Sequence, residues 1–172
     1  MSKDSECEFH DPGRLVDEDL ELVLTETCPA DPSVGRVPMY RFEMRLVGKG
    51  TKIGSVRFRT RCTERLAQYG GHLSYDVDEA YRGNRYAARS CRLLFPLALS
   101  HGLDSLLITC RPDNLASRKT CELIGAEYVD TIDTEREPGE HGPTCRYSVH
   151  LRPSNTGQPR AATDPEDGAA EP

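Results

Sequence analysis

The sequence contains no tryptophan among its 172 residues, and aromatic residues make up only 6% of it. It has no apolar run near the roughly 18 residues that a membrane-spanning helix needs, which excludes an integral membrane protein with helical spans. The first residues, 1–9, are polar and acidic and lack the apolar core of a secretory signal peptide. We therefore expect a cytoplasmic protein that does not bind a membrane.

Paired cysteines at zinc-site spacing are also missing. The seven cysteines are odd in number and widely spaced, and no two of them stand in a C-x-x-C arrangement. Such a pattern is typical of reduced thiols in a cytoplasmic protein, several of them buried as small hydrophobic side chains. We expect no metal ion.

The charge is unevenly distributed. The net charge is −6, but residues 1–21 hold eight acids against two bases, and residues 153–172 hold four acids against one base. The body of the chain, residues 22–152, therefore carries +3. A nucleic-acid-binding protein would show a clustered basic face, so no nucleic-acid partner is expected, whereas a small anionic ligand bound locally fits.

Composition divides the chain into three parts. Residues 153–172 consist almost entirely of Pro, Ala, Gly, Ser, Thr, Asn, Gln and charged residues with little to bury, which predicts a disordered tail. Residues 1–15 are predicted to be a flexible N-terminus. One folded domain is expected over residues 16–152.

Hydrophobic periodicity within that domain changes along the chain. Alternating or short apolar segments predict strands at residues 20–25, 39–47, 52–60, 72–77, 105–110, 126–132 and 145–151. Helical spacing from Ala87 to Ala98 predicts an amphipathic helix that Pro96 kinks and Gly102 ends. A second helix begins at a cap, Asn114 or Asp113, and ends before Gly125. The stretch 135–143 is predicted to be a polar loop.

This order of elements indicates the fold class. A meander of strands is followed by strand–helix–strand–helix–strand–strand. The expectation is a single α/β (α+β) domain with a mixed, mostly antiparallel, twisted sheet of about six to seven strands and helices on its faces.

The join after Val77 carries the first chemical signal. Residues 82–87, Arg-Gly-Asn-Arg-Tyr-Ala, leave a predicted strand and open a helix. The first turn of a helix leaves N–H groups unpaired and carries partial positive charge, so such a turn suits a pyrophosphate. An ordinary glycine-containing turn with solvated arginines is the alternative.

A second segment, residues 110–126, also leaves a strand, caps a helix and ends on glycine. The two segments, in this order, resemble the signatures of the GNAT superfamily of N-acetyltransferases. The first family signature is Q/R-x-x-G-x-G/A, in which Arg82 and Ala87 fit and Arg85 stands where glycine is expected. The second is N-x-x-S/A through to a glycine, matched by Asn114, Ser117 and Gly125. Residues 70–126 look closest to a less-studied branch of predicted bacterial GNAT acetyltransferases.

The resemblance implies a set of cofactor contacts. Backbone groups of Tyr75 and Val77 would pair with the pantetheine arm of acetyl-CoA where two strands splay apart, and a backbone N–H there would polarise the acetyl carbonyl. The pyrophosphate would be held by Arg82, Gly83, Asn84, Arg85, Tyr86 and Ala87. Asn114 and Ser117 would contact the cofactor from the second helix.

The proton donor and the base are assigned with alternatives. Many family members place a tyrosine seven residues after the asparagine to protonate the leaving thiolate, and Cys121 stands at that position here. Either it serves as that acid or it is a buried structural thiol. His72 and Glu43 are the two candidate bases for the attacking amine, and each could equally be an ordinary strand residue.

The family resemblance also bears on the acceptor, for which we expect a primary amine, most simply of a small molecule. In the family the acceptor pocket comes largely from the segment between the first two strands, which is short here, so the first helical pair is expected to be reduced. Tyr69 and residues 61–65 either border that pocket or form a solvated loop, and the site is expected to be either open or completed by a second copy of the chain, in a homodimer. Acetylation of a protein N-terminus or lysine, and a GNAT-fold module that binds acyl-CoA without turnover, are the alternatives.

Overall fold

The computed structural model describes residues 8–152. The predicted tail, 153–172, and the first part of the predicted flexible N-terminus, residues 1–7, lie outside the described residues. Residues 8–14 have no helix or strand, but Phe9 packs its ring edge against Tyr40, with 5.1 Å between ring centroids.

The described chain contains eight strands and four short α-helices. The strands are β1 (Leu15–Asp17), β2 (Leu20–Cys28), β3 (Met39–Leu46), β4 (Lys52–Arg59), β5 (Leu73–Val77), β6 (Ser105–Cys110), β7 (Glu127–Glu137) and β8 (Glu140–His150). The helices are α1 (Glu64–Gln68), α2 (Tyr86–Leu93), α3 (Phe95–Ser100) and α4 (Leu115–Leu123). No helix between residues 8 and 152 is both long and apolar enough to cross a membrane.

The strands form two antiparallel sheets. The first has the order β1-β2-β3-β4-β5 and the second the order β6-β8-β7. The predicted class, an α/β domain of mostly antiparallel strands with helices packed on them, is confirmed. Between β2 and β3 the described chain makes only a 3-10 turn, Pro32–Val34, so the first helical pair is indeed reduced.

Two details of the prediction were wrong. The stretch 135–143 is the tip of a long hairpin: β7 continues to Glu137, and β8 starts again at Glu140. It looked like a loop because this tip is exposed on both faces and so shows no alternation of apolar and polar residues. The three-residue strand β1 and the helix α1 were not predicted, because each is too short to show a period.

One core joins the helices to both sheets. Tyr40, Phe42 and Phe58 lie side by side on β3 and β4, with ring centroids 6.1 and 5.9 Å from Tyr40. Cys91 and Leu94 from the α2 region are fully buried in the same cluster. Pro96 follows the break between α2 and α3, so the predicted kink is a complete interruption of the helix.

Hydrogen bonds from residues 70–72, just before β5, join the first sheet to β6 of the second sheet. The His72 N–H donates to the Leu107 carbonyl at 2.7 Å, and the Leu107 N–H donates to the His72 ring Nδ1 at 2.9 Å. Gly71 makes this approach possible, because a Cβ there would lie 2.3 Å from the Leu107 carbonyl oxygen, far inside van der Waals contact. Past this contact β5 and β6 share no hydrogen-bonded ladder, and the space between them opens into a cleft.

Candidate active site

The cleft between β5 and β6 has a volume of about 990 Å³. β5 contributes Leu73–Val77 to its wall and β6 contributes residues 108–110. The loop before α2 closes one end, and the first turns of α4 lie across from β5. The two segments that carry the family signatures therefore come together in one cavity, although about thirty residues separate them in the sequence.

The loop before α2 presents unused hydrogen-bond donors. Within the described residues, none of the backbone N–H groups from Gly83 to Ala88 donates a hydrogen bond, and Gly83, Arg85, Tyr86 and Ala87 line the cleft. The next N–H, of Arg89, closes the first helical turn onto the Arg85 carbonyl at 3.0 Å. Six consecutive donors at a helix start, with the partial positive charge of the helix dipole, make an anion-binding cradle.

The backbone of this loop turns through two left-handed residues. Gly83 has φ = +86° and Arg85 has φ = +61°. Arg85 is the residue that stands where the family signature has glycine, so the chain keeps the glycine conformation without the glycine. A non-glycine residue in this region is strained by about 1 kcal/mol.

Side chains hold the loop in place. The Arg82 Nε donates to the Val77 carbonyl at 2.9 Å, and the Asn84 side-chain amide donates to the Tyr81 carbonyl at 3.0 Å. The side chains of Arg82 and Asn84, both predicted to bind the cofactor, thus donate hydrogen bonds to nearby backbone carbonyls. What the loop offers a ligand is mainly its backbone.

A second set of contacts fixes helix α2 against the N-terminal hairpin. Arg89 forms ion pairs with Asp17 at 2.6 Å and with Asp19 at 2.8 Å. The buried Tyr86 donates its hydroxyl to Asp19 at 2.6 Å, a bond that raises the pKa of Tyr86 and lowers that of Asp19. The Tyr86 side chain is therefore committed to β1–β2, and its backbone N–H remains for the cleft.

The wall opposite the loop comes from α4. Asn114 caps this helix, since its side-chain oxygen accepts from the Ser117 N–H at 3.0 Å, and both residues line the cleft. The Ser117 hydroxyl shares a hydrogen bond with the Tyr75 hydroxyl, with 2.9 Å between the oxygens. Burial, and then the neighbouring Cys121 and Cys91 thiols, raise the pKa of Tyr75 far above its usual value. Tyr75 therefore keeps its proton and is a hydrogen-bond donor inside the cleft.

The cleft is strongly basic. Among its lining residues Asp76 is the single acid, against six cations: Arg57, Arg59, Arg82, Arg85, Arg111 and Lys119. Two of the six are partly neutralised, since Arg111 faces Asp113 at 3.5 Å and Lys119 faces Glu122 at 2.9 Å. The cleft is therefore positively charged, although the net charge of the whole chain is negative.

The three predicted catalytic residues lie at different depths. His72 is buried at the junction of the two sheets, where burial first and then the charge of Arg59 lower its pKa. Glu43 lines a separate, smaller cavity on β3 and β4, where it pairs with Arg45 at 2.6 Å and Lys52 at 3.4 Å. Cys121 is fully buried behind Tyr75 and Ser117, and burial raises its pKa to about 12.

None of these three side chains is among the residues that line the large cleft. Their catalytic roles stay predictions. Sequence reasoning passed over Arg57 and Arg59, which do line it, and gave Tyr75 only a backbone role. Alternation along β4 could have indicated that both arginines share one face, but nothing local shows that this face borders a cleft.

The sequence matches the model of a known protein family. The family model described as "Acetyltransferase (GNAT) domain" matches residues 11–127. No curated protein sequence matches the chain.

Several solved structures share the fold. One is an acetyltransferase of the GNAT family from Bacillus anthracis, with a TM-score of 0.55 and 17% identity over 64% of this chain and 66% of that chain. A second, from Salmonella typhimurium, is an acetyltransferase that modifies the N-terminal serine of the 50S ribosomal subunit protein L7/L12, with a TM-score of 0.53 and 17% identity over 65% and 63%. A third is the microcin C7 self-immunity acetyltransferase MccE in complex with acetyl-CoA and AMP, with a TM-score of 0.53 and 17% identity over 65% and 61%. The chain thus spans 61–66% of the length of these proteins, and at such identities the likeness concerns the fold.

Proposed function

The chain belongs to the GNAT acetyltransferase family, and from this premise we propose that it transfers the acetyl group of acetyl-CoA to a primary amine. One observation carries the proposal: six consecutive N–H groups from Gly83 to Ala88 are unused at a helix start, and four of these residues line the wall of a basic cleft. Such a cradle suits the pyrophosphate of acetyl-CoA.

The cofactor contacts divide between the two walls. We assign the pyrophosphate to residues 82–87, with the Arg85 guanidinium available for a charge-assisted contact. The pantetheine arm lies along Tyr75–Val77, because β5 lacks a ladder partner on this side and its backbone groups are free to pair with amides of the arm. Asn114 and Ser117 face it from α4. Acetyl-CoA supplies the acetyl group already activated as a thioester.

The proton that the leaving sulfur needs comes from a residue in the middle of β5. The leaving sulfur must gain a proton, and we assign the donation to the Tyr75 hydroxyl, supported by its bond to Ser117. Cys121, the donor predicted from the family position, is fully buried and does not line the cleft, whereas Tyr75 does. Tyr75 on β5 thus takes over the function that other members give to a tyrosine on the helix.

The attacking amine must lose a proton. His72 is unprotonated near neutral pH because its pKa is lowered, but its Nδ1 already accepts from the Leu107 N–H and its Nε2 then carries the ring proton, so it could act as a base only if that bond broke. Glu43 is held by two cations on another cavity, and its use would require a path through solvent.

The acceptor is a primary amine, of a small molecule or of a peptide. The solved relatives include a protein N-terminal acetyltransferase and an immunity acetyltransferase crystallised with AMP, so the fold accommodates both sizes. We place the protein in the cytoplasm, in keeping with six free cysteines in the described part of the chain.

Two measurements test the proposal. Calorimetry with acetyl-CoA should show binding, and absence of binding at millimolar ligand would contradict it. Release of free CoA thiol, followed with a thiol reagent across a panel of amines, should rise with one amine class and stay at the hydrolysis background without acceptor.

A non-catalytic acyl-CoA-binding module is the second candidate. It is favoured by the absence of His72, Glu43 and Cys121 from the cleft lining. Tight acetyl-CoA binding without CoA release on any amine would support the module over the enzyme.

A further inference from the structure

Residues 82–87, which are assigned to the pyrophosphate and form the phosphate loop, follow the C-terminal end of β5. A cluster of arginines lies at the N-terminal end of the same strand. Arg57 and Arg59 are on the same face of β4, and both line the cleft together with Tyr69 and Ser74. Arg57 has a partner on each neighbouring strand in the antiparallel register. Arg41 on β3 stands directly opposite it on one side, and Ser74 on β5 stands directly opposite it on the other. The three guanidinium groups therefore come from neighbouring positions on two adjacent strands.

This arrangement is electrostatically unfavourable as it stands. Like charges directly opposite each other across a ladder are destabilising. Arg41 is relieved by an exposed ion pair with Glu26 at 3.3 Å, but within residues 8–152 neither Arg57 nor Arg59 forms an ion pair. Burial, followed by the charges of Arg57 and Arg41, lowers the pKa of Arg59. An anion bound between Arg57 and Arg59 would remove this cost.

Arg59 is held ready for such a ligand. Its Nη1 donates to the Ser74 hydroxyl at 2.7 Å and reaches the carbonyls of Gly70 and Gly71 at 3.4 Å each. These neutral acceptors fix the side chain without neutralising it. Arg57 is exposed, so its guanidinium is accessible from solvent.

The position of the cluster separates it from the cofactor phosphates. The phosphate loop follows the C-terminal end of β5, whereas Arg59 contacts residues at its N-terminal end. With about 3.3 Å per residue, the two ends are some 13 Å apart. Asp76, the acid of the lining, is two residues from Ser74 on the same face, between the ends of the strand.

We propose that Arg57 and Arg59 bind an anionic group of the acceptor, so that the protein acetylates amines whose own molecule carries a carboxylate or a phosphate. Asp76 faces the ammonium of the same acceptor before it loses its proton. This inference rests on the proposed function and specifies its substrate class.

The test uses the full chain and two matched sets of acceptors. The small set is 3-aminopropanoate, 2-aminoethyl phosphate, 3-aminopropan-1-ol and 1,3-diaminopropane. The peptide set consists of tripeptide amides that begin with serine and continue with two glutamates, two phosphoserines, two glutamines or two lysines. CoA release gives kcat/KM for each, and calorimetry gives the Kd of acetyl-CoA.

Within the set that is acetylated, kcat/KM for the anionic members should exceed kcat/KM for the neutral member at least tenfold. It should exceed kcat/KM for the cationic member by a larger factor. The ratio between phosphate and carboxylate members identifies the preferred anion, and the better set identifies the size of the acceptor. Arg57→Gln should reduce the anionic-to-neutral ratio about tenfold through KM, with the Kd of acetyl-CoA unchanged. Arg59→Lys, which keeps the charge and lowers the risk of misfolding, should retain most of the preference.

Arg14→Gln is the matched control, since Arg14 is exposed and outside the cleft lining. Equal use of neutral and anionic amines, or an Arg57→Gln effect on the Kd of acetyl-CoA instead of on the acceptor ratio, would overturn the inference. Bound acetyl-CoA with no transfer to any member of either set would overturn it as well, and would favour the non-catalytic module over the enzyme. Failure of acetyl-CoA to bind at all would instead overturn the proposed function, and the inference with it.

Discussion

The two ends of β5 both attract anions, but they are built from different parts of the chain. At the C-terminal end the donors are backbone N–H groups at the start of α2, fixed by two residues with positive φ. At the N-terminal end the donors are guanidinium groups on β4, fixed by strand register and by contacts with Ser74. A backbone cradle keeps its donors when one uncharged side chain replaces another and the conformation is kept, whereas a side-chain cluster loses donors with any substitution that removes a guanidinium. The first end suits a constant cofactor and the second a substrate that varies between proteins of one fold.

The largest effect is expected between the two ends, at Tyr75. Tyr75→Phe removes the hydroxyl that shares a bond with Ser117 and should lower kcat about 100-fold, the usual contribution of a positioned proton donor. Cys121→Ser should leave kcat within about threefold, because Cys121 stands behind Tyr75. Steady-state rates with saturating acetyl-CoA measure both. A large loss in Cys121→Ser with an active Tyr75→Phe would restore the thiol as the acid.

Next in size is the response of the backbone cradle to charge. Ala87→Glu places a carboxylate in the wall next to the unused N–H groups and should weaken acetyl-CoA binding about 10- to 100-fold by repulsion. Ala87→Gln, which has the same length without the charge, is its control. Gly83→Pro should be at least as harmful, since proline cannot adopt the φ of +86°. Normal calorimetric affinity in both Ala87→Glu and Gly83→Pro would show that the loop is not the cradle.

A smaller effect separates conformation from charge at Arg85. Arg85→Gly and Arg85→Ala both remove the guanidinium, so both should weaken acetyl-CoA binding by a similar factor, about tenfold at most. They should differ in stability, because only glycine relieves the positive φ of +61°. The glycine variant should unfold at a free energy about 1 kcal/mol higher than the alanine variant. Denaturant titration of the two measures the difference, and equal midpoints would contradict a strained Arg85.

The smallest expected effect concerns the junction of the sheets. The folded-state pKa of His72 is lowered, so its contribution to stability is complete above the unfolded value of about 6.5 and is lost as pH falls through the folded pKa. Each such group adds at most about 1.4 kcal/mol per pH unit to the slope. His72→Asn, whose side-chain oxygen can still accept from the Leu107 N–H, should therefore lose less stability between pH 7 and pH 5 than the parent does.

The exposed His150 supplies the control, since His150→Gln should leave that slope as it is in the parent. The pKa of His101 is lowered as well, by burial and by His10, so the parent slope contains its contribution too. The difference between variants, measured by denaturation at several pH values, is the quantity to compare. No difference between His72→Asn and the parent would mean that another group governs the acid response.

Sequence alone predicted the parts of this fold that repeat a local pattern. The strand at 105–110 and the helix capped by Asn114 were predicted almost to the residue, because a short apolar run and a cap followed by glycine are each local signals. The loop that follows β5 and opens a helix was predicted for the same reason. Arg85 looked like a departure from the family pattern, yet its backbone keeps the conformation of the missing glycine.

What sequence could not predict depends on pairs of residues far apart along the chain. Tyr75 meets Ser117 across 42 positions, and Arg89 meets Asp17 across 72. Nothing in the sequence around Arg57 indicates that the strand register places Arg41 directly opposite it. Long-range register is fixed by the whole core, so no window of neighbouring residues contains it.

The attachment of α2 to the first hairpin has a consequence for how the protein acquires activity. Tyr86 and Arg89 reach Asp19 and Asp17 across 67 to 72 residues, so these bonds form only after a long loop of chain has closed. Closing such a loop costs entropy before its contacts contribute, which places non-local contacts late in folding. The start of α2 is therefore fixed only late in folding, when the first strand meets the second helix.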